Sequence, residues 1–532
     1  MRHIISVLLI GALALAPLLA SHAQETSAST SADASTPAKS ADNKSADKAK
    51  KTSTDDAAAP ATETVTRTQH SVSIGGHTVN YTATAGTLII RDDKQQPQAS
   101  VFYVAYTVVR GKASKRPVTF LYNGGPGSSS MWLHMGSFAP MRIATASPEP
   151  TAPPPYHLVP NGDSLLDQSD LVFIDAVGTG YSRPLGKATG KDFWGVDQDI
   201  SAFSRAIERY VTVNGRWNSP KFLFGESYGT TRSAALVDAL QDKGMTFNGV
   251  ILMSSILNYG IRLPGYDEIY VGYLPSFAAA AWYHDKVANK PVDLATYVDQ
   301  VRRWATGPYA AALAQGQNLS PADADAIARQ LAAYTGLSVP FVKAANLRVD
   351  LGRFRKELLR DQRITLGRFD SRFTGTDADA AGESPDYDAS DSGISGAFVS
   401  AFHDYIDHDL KYHSDLDYRP TFGDIGKDWD WKHKAAGQRR PLPTAYVAGD
   451  LAHAMRTNPG LKVLSVNGYY DFATPFAITE YDLAHMNLDP SLVGNLQFLY
   501  YPSGHMIYLN TDALKQLKGD LAHFYDHAAP QR

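Results

Sequence analysis

Between residues 117 and 501 the chain returns again and again to short apolar runs: PVTFLY (117–122), DLVFID (170–175), KFLF (221–224), GVILMS (249–254), KVLSV (462–466) and LQFLYY (496–501). Such runs, apolar at successive positions, predict strands buried on both faces. Between several of them the period changes to that of a helix. Val196, Ile200, Phe203, Ile207 and Val211 fall on one helical face, as do Leu514, Leu517, Leu521 and Phe524 at the end of the chain. Strands alternating with amphipathic helices predict an α/β protein with a mostly parallel central sheet and helices on both faces. Upstream, from Thr66 to Arg110, the β-type runs HTVNYTAT and ASVFYVAYTVV are separated by GG and DDK, which read as turns.

The rhythm breaks between residues 259 and 440. Ser320 as N-cap, Pro321 in the first turn and Gly336 past the end mark a helix there. The section reads as a mainly helical insertion, a candidate lid, that splits the core into residues 66–258 and 441–532. It also holds the stretch TDADAAGESPDYDASDSG. Asp377, Asp379, Gly382 and Asp388 stand there at calcium-loop positions, but Ala381 and the final Asp depart from that pattern, and a flexible acidic loop is expected. In the run from His403 to His413, Asp404/His408 and Asp409/His413 could supply metal ligands at i,i+4 spacing; a charged helix face is the plainer reading, and no metal is expected.

Composition narrows the function. With 44% hydrophobic and 20% charged residues and a net charge of -4, the 532-residue chain has neither a basic nucleic-acid surface nor a strongly acidic tail. The absence of cysteine excludes disulfides, thiolate metal sites and lipid attachment at a signal-peptide end. Arg2, the apolar run 4–20 and Ser21-His22-Ala23 have the parts of a secretory signal, so residues 1–23 are expected to be removed near Ala23 and the protein exported. A retained membrane anchor is the alternative, disfavoured by Pro17 and the small residues that follow. Residues 24–65, almost all Ala, Ser, Thr, Lys, Asp and Glu, can form no core and read as a disordered tether.

The candidate chemistry begins at Gly225-Glu226-Ser227-Tyr228-Gly229, a G-x-S-x-G pentad between the strand KFLF and a helix-spaced run. That context is the strand–elbow–helix in which a serine is lifted off a sheet edge as a nucleophile. A nucleophilic serine needs a base, and the base an orienting carboxylate. KVLSV runs into NGYYDFATP, placing Asp471 in a loop, and LQFLYY runs into PSGHMIY, placing His505 in another. Each alone reads as a cap or a solvated turn; both, in the order Ser, Asp, His, fit a triad. The Gly-rich segment Asn123-Gly124-Gly125-Pro126-Gly127 follows an early strand, where the second oxyanion-hole N–H should come from.

NGGPGSSS, DLVFIDAVGTGYS, GESYG, NGYYD and SGHM, in that order, resemble the serine carboxypeptidase family, a branch of the α/β-hydrolase fold. The likeness runs from Val118 to the C-terminus and is weakest in the insertion. It implies Ser227 as nucleophile, His505 as general base and Asp471 as its orienting acid. It further implies an oxyanion hole from the N–H groups of Gly125 and Tyr228, and Asn123, Gly124 and Glu226 as the group that holds a peptide's C-terminal carboxylate. Asp175 and Gly178 to Gly180 fall in a family motif and read as the wall of the site. The resemblance implies no cofactor and peptides with a free C-terminus as partners; the N-terminal pattern already predicts no stable membrane anchor. The chain departs from the family at Ser137, where a second acid is frequent, at Tyr122 in place of tryptophan, and at Gly229-Thr230. With the second acid gone, His134 is a candidate substitute in the carboxylate clamp. An esterase or acyltransferase using the same triad is the alternative, and an inactive binding protein on this fold a further one.

Overall fold

The sheet opens with a hairpin written into the sequence as Gly75-Gly76. In the computed structural model, which describes residues 59–108 and 116–529, β1 (Val65–Ile74) and β2 (His77–Arg91) pair antiparallel around this two-residue turn. Both glycines have positive φ, 56° and 80°, as a two-residue hairpin turn matching the strand twist requires. Then β3 (Pro97–Val108) returns antiparallel to β2.

The six apolar runs form the parallel part: β4 (Val118–Tyr122), β5 (Asp170–Ile174), β6 (Lys221–Glu226), β7 (Gly249–Met253), β8 (Lys462–Gly468) and β9 (Leu496–Tyr501). The order across the sheet is β1-β2-β3-β5-β4-β6-β7-β8-β9, with the short strand Arg183–Pro184 paired to β3. This is the α/β-hydrolase fold. Successive residues of one strand feed opposite cores: Phe222 and Phe224 join one buried cluster, Leu223 the other. That is why the runs are apolar at every position. Each fully buried Leu or Phe stabilises the sheet by about 1.5–3 kcal/mol.

The main helices are α1 (Met131–Gly136), α2 (Val196–Val213), α3 (Tyr228–Gln241), α4 (Glu268–Tyr283), α5 (Leu294–Trp304), α6 (Pro321–Thr335), α7 (Ala389–Asp404), α8 (Ala448–Thr457), α9 (Phe476–Ala484) and α10 (Thr511–Ala528). The buried faces of α2, α3 and α8 cover one side of the sheet, and that of α10 the other. Between β7 and α8, helices α4, α5 and α6 form a cluster of their own, with Phe277, Val301, Leu331 and Phe354 packed together, whereas α7 packs into the main core through Phe398 and Phe402. Phe472, from the loop after β8, completes that cluster and ties it to the core. The capping signals hold: Ser320 Oγ accepts the Asp323 N–H at 3.1 Å, and Gly336 has φ 71°.

The acidic stretch is not loose, as expected from its composition, but pinned by basic side chains of the insertion. Lys356 and Asp377 form a buried ion pair, Arg353 meets Glu383 at 3.0 Å, and Arg360 donates to the Gly382 carbonyl at 3.1 Å. A tether running to residue 65 also extends too far. Glu63 accepts the Ile89 N–H and pairs with Arg209, and Thr64 bonds Thr87, so the chain already belongs to the sheet there. The expected signal and the tether up to residue 58 lie outside the described residues. Among the described residues no helix is long and apolar enough to cross a membrane.

Candidate active site

Three loops at the C-terminal ends of β6, β8 and β9 carry the candidate triad. Ser227 sits between β6 and α3 with φ 61° and ψ -131°, a conformation that costs a non-glycine residue roughly 1–3 kcal/mol. Its N–H donates to the Met253 carbonyl at the end of β7, which holds the turn closed. The flanking glycine is required: a Cβ on Gly225 would stand 2.2 Å from the Gly229 carbonyl oxygen.

Asp471 is 1% exposed and its carboxylate is fully engaged. Oδ1 accepts the N–H groups of Ala473 and Thr474, at 2.7 and 3.0 Å. Oδ2 lies 2.8 Å from His505 Nδ1 and 2.7 Å from the Thr474 hydroxyl. A carboxylate only accepts, so the proton of the His505–Asp471 bond sits on Nδ1 and leaves Nε2 as the basic nitrogen. Burial depresses the His505 pKa, but the Asp471 charge and hydrogen bond, with Glu226 behind them, outweigh it and the net shift is upward.

Two groups that no motif announces hold these loops together. Ser254, just past β7 and at φ 52°, donates its N–H to Val466, its hydroxyl to the His505 carbonyl at 2.6 Å, and offers its own carbonyl to Thr474 at 2.8 Å. It therefore touches the base loop, the acid loop and β8 at once. Residues 368–372 of the insertion do the same from above. The His505 N–H donates to Phe369 O at 2.6 Å, Phe472 N–H to Arg368 O at 3.1 Å, and Ser371 N–H to Tyr470 O at 3.0 Å. The Phe369 ring lies 5.2 Å from that of His505.

The loop from Asn123 to Gly127 is pressed against the first turn of α3. A Cβ on Gly124 would lie 2.3 Å from Tyr228 N, so only glycine admits this approach. The loop of Gly125 and the N–H of Tyr228 thus meet beside Ser227. Arg232, one turn along α3 and fully buried, fixes the loop from behind: Nη1 donates to the Asn123 carbonyl at 2.8 Å, and Nε pairs with Asp199 at 2.7 Å. Its guanidinium lies 4.0 Å from the Phe203 ring centre. Asp175 accepts the Ser130 N–H at 2.7 Å, and its Oδ2 fills the space a Cβ on Gly180 would need, so this motif shapes a wall.

Glu226 is buried beside Ser227. Burial raises its pKa to about 7, against the opposing pull of His505, Tyr508 and Asn123. The Tyr508 hydroxyl donates to Oε2 at 3.0 Å. Asn123 lies within interaction range of both Glu226 and Tyr508, and its own Oδ1 accepts the Leu133 N–H at 2.8 Å, which orients the amide. Tyr508 is the member of this set that the sequence did not single out. His134 is no substitute for the missing acid. It is buried, its Nε2 lies 2.7 Å from the Tyr106 hydroxyl, it stacks on Phe173, and burial lowers its pKa to about 3. Ser137 is buried too, its hydroxyl turned back to the Leu133 carbonyl.

The metal candidates are ordinary surface pairs: His408 meets Asp404 at 3.1 Å, and His413 meets Asp407, rather than Asp409, at 2.6 Å, all exposed. Among the described residues the three groups that could converge on an ion are Asp238 on α3, Asp242 just past its end and His453 on α8. A cavity of about 900 Å³ lies between α4 and α9 with Gly272, Pro275, Ala477 and Tyr481 in its wall, and none of the triad lines it.

Residues 73–290 match the family model for serine carboxypeptidases. The matched span holds Asn123, Gly125 and the Ser227 elbow; Asp471 and His505 lie beyond it. No curated protein matches the sequence. Among solved structures, a proline iminopeptidase from Mycobacterium smegmatis is 12% identical, over 83% of this chain and 98% of its own, with a TM-score of 0.35. A putative aryl esterase from Burkholderia cenocepacia is 14% identical over 83% and 98%, with a TM-score of 0.32. A carboxyl esterase from Bacillus coagulans is 12% identical over the same shares, with a TM-score of 0.32.

Proposed function

The chain belongs to the serine carboxypeptidase family over residues 73–290, and from that premise we propose that it is an exported carboxypeptidase that releases C-terminal residues from peptides. In this reading Ser227 Oγ attacks the scissile carbonyl while His505 Nε2 takes its proton. Asp471 holds the imidazole in the required tautomer and offsets the imidazolium charge. The N–H groups of Gly125 and Tyr228 stabilise the oxyanion of the tetrahedral intermediate. Collapse breaks the C–N bond, His505 returns the proton to the leaving amine, and the acyl group stays on Ser227. Water, deprotonated by the same histidine, then frees the acid and restores the serine. Export is supported by the N-terminal sequence alone.

One observation carries the exopeptidase part: a buried, protonatable carboxyl, Glu226, stands directly before the nucleophile with Asn123 and Tyr508 at hand. Ionised, it repels a substrate carboxylate; protonated, it donates a hydrogen bond to it. Acidic pH is therefore favoured for peptides. The second reading, an esterase or acyltransferase on the same triad, is favoured by Ser137, whose hydroxyl stays inside its own helix and leaves the clamp without a second acid. The deciding experiment compares one peptide with its C-terminal amide. Loss of the charged hydrogen bond predicts roughly a 10–100-fold lower kcat/KM for the amide. Equal rates would discard the carboxypeptidase reading in favour of an esterase or endopeptidase.

A further inference from the structure

Arg368 stands beside the base histidine without an acid of its own. It is half-buried, and its guanidinium lies 5.3 Å from the ring centre of Phe369, the residue stacked near His505. Its charged neighbours are already matched. Arg372 is paired bidentately with Asp370, and Arg355 faces Asp388 at 3.8 Å. Asp388 also receives the Arg368 backbone N–H and the Ser390 hydroxyl. Among the described residues no carboxylate lies within ion-pair distance of the Arg368 guanidinium.

A second cation of the same kind is attached to the same loop. Arg262 is exposed and donates Nη2 to the Ala473 carbonyl at 3.1 Å; its charge acts on the buried Asp482, but among the described residues no carboxylate lies within ion-pair distance of it. The two arginines are tied to adjacent residues of the acid loop, Phe472 through the Arg368 carbonyl and Ala473 through the Arg262 side chain. Their charges act on the same two aromatic side chains, Tyr259 and Tyr273, and that of Arg368 also acts on His505. A partly dehydrated guanidinium without a counter-charge is unfavourable, and its planar donor fork fits a carboxylate.

We propose that Arg368, with Arg262, forms a subsite for an acidic side chain on a residue flanking the bond that is cleaved. The inference rests on the peptide-hydrolase reading and gives it a substrate class. The terminal carboxylate has its own recognition set in Glu226, Asn123 and Tyr508, so the arginines serve a second carboxylate.

The test uses peptide pairs that differ only by Glu against Gln, placed at each of the two residues flanking the scissile bond, assayed with the full protein. The wild type should favour Glu at one of the two positions by roughly 10–100-fold in kcat/KM, the effect of a charge-assisted hydrogen bond. In Arg368→Gln that ratio should fall toward one, Arg368→Lys should retain part of it, and Arg262→Gln should reduce it. A ratio of two substrates on one preparation does not depend on how much of the variant folded; if Arg368→Gln yields no folded protein, Arg262→Gln carries the test. A Glu/Gln ratio near one in the wild type, or one that survives both substitutions, overturns the proposal. So does a Glu/Gln ratio that holds while the ratio of free to amidated peptide collapses, since the guanidinium would then serve the terminal carboxylate. Turnover of no peptide at all is a different result: it sinks the peptide-hydrolase reading itself.

Discussion

Glu226→Gln separates the two activities that one triad can support. Burial places the Glu226 pKa at about 7 rather than 4.5. At pH 5 about 99% of molecules then carry the proton, and at pH 8 about one in ten does. If that proton meets the substrate carboxylate, peptide kcat/KM should fall about tenfold per pH unit above 7. An ester without a free carboxylate does not use the proton, and its rate should rise as His505 deprotonates. Glutamine keeps a neutral donor, so the alkaline loss for peptides should vanish in the variant. The ester profile should move as well: Glu226 helps to raise the His505 pKa, and removing its charge should shift the rising limb to lower pH. Glu226 and His505 titrate as a pair, so the profiles report macroscopic values.

Stability gives an independent reading of the same group. A carboxyl whose folded pKa lies above its unfolded value contributes stability that is complete below 4.5 and is lost as pH rises through about 7. The span corresponds to on the order of 3 kcal/mol. Denaturant unfolding should therefore show the glutamine variant gaining on the wild type between pH 5 and pH 8 by up to about that amount. Peptide and ester rates that fall together at alkaline pH in the wild type would refute the reasoning. So would an alkaline loss for peptides that persists in Glu226→Gln.

Ser227→Ala should lower turnover by on the order of 10³-fold or more with the fold intact, since the triad acts as a unit; covalent labelling by a serine-directed phosphonate should disappear with it, and a variant retaining most activity would clear Ser227 of the role. His433 lies between Asp197 at 2.6 Å and Asp450 at 2.9 Å. Burial opposes its charge, but the two carboxylates win and raise its pKa to about 9. A histidine raised in this way contributes stability that is complete below about 6.5 and is lost as pH rises through 9, about 3 kcal/mol at most. Thermal unfolding from pH 6 to pH 10 should show that loss in the wild type and a smaller one in His433→Gln. Equal losses would assign the alkaline weakening elsewhere.

The parts of this protein legible in its sequence are those where one local pattern has one physical meaning. A run such as KFLF, apolar at every position, has to be buried on both faces, and each of the six runs is a strand of the sheet. Ser227 between two glycines marks a turn that only a close backbone approach requires, and its strained dihedrals follow from it. The acidic stretch misled because composition reports the charge of a segment and not its partners. Lys356, Arg353 and Arg360 are remote in sequence, and their pairing with that stretch is a property of the fold. His134 failed as a clamp residue for the same reason: one turn of helix carries it into the core beside Tyr106 and Phe173. Tyr508 is three residues past His505, yet nothing in PSGHMIY tells that its hydroxyl reaches Glu226.

The insertion enters the chemistry through its backbone. Residues 368–372 supply carbonyls to His505 and Phe472 and an N–H to Tyr470, so the base loop and the acid loop share one support that neither contains. From the core side Ser254 makes the matching contacts, with its hydroxyl on the His505 carbonyl and its own carbonyl beside Thr474. The two loops are thus gripped from both sides, and the 2.8 Å His505–Asp471 bond lies between the grips. A lid that only covered a finished triad could open without cost to the histidine. Residues 368–372 cannot leave without breaking hydrogen bonds of the loops that carry His505 and Asp471. The segment that presents Arg368 is thus bonded to both of those loops. The proposed specificity residue Arg368 is in this way carried on the same five residues that brace the loops of His505 and Asp471.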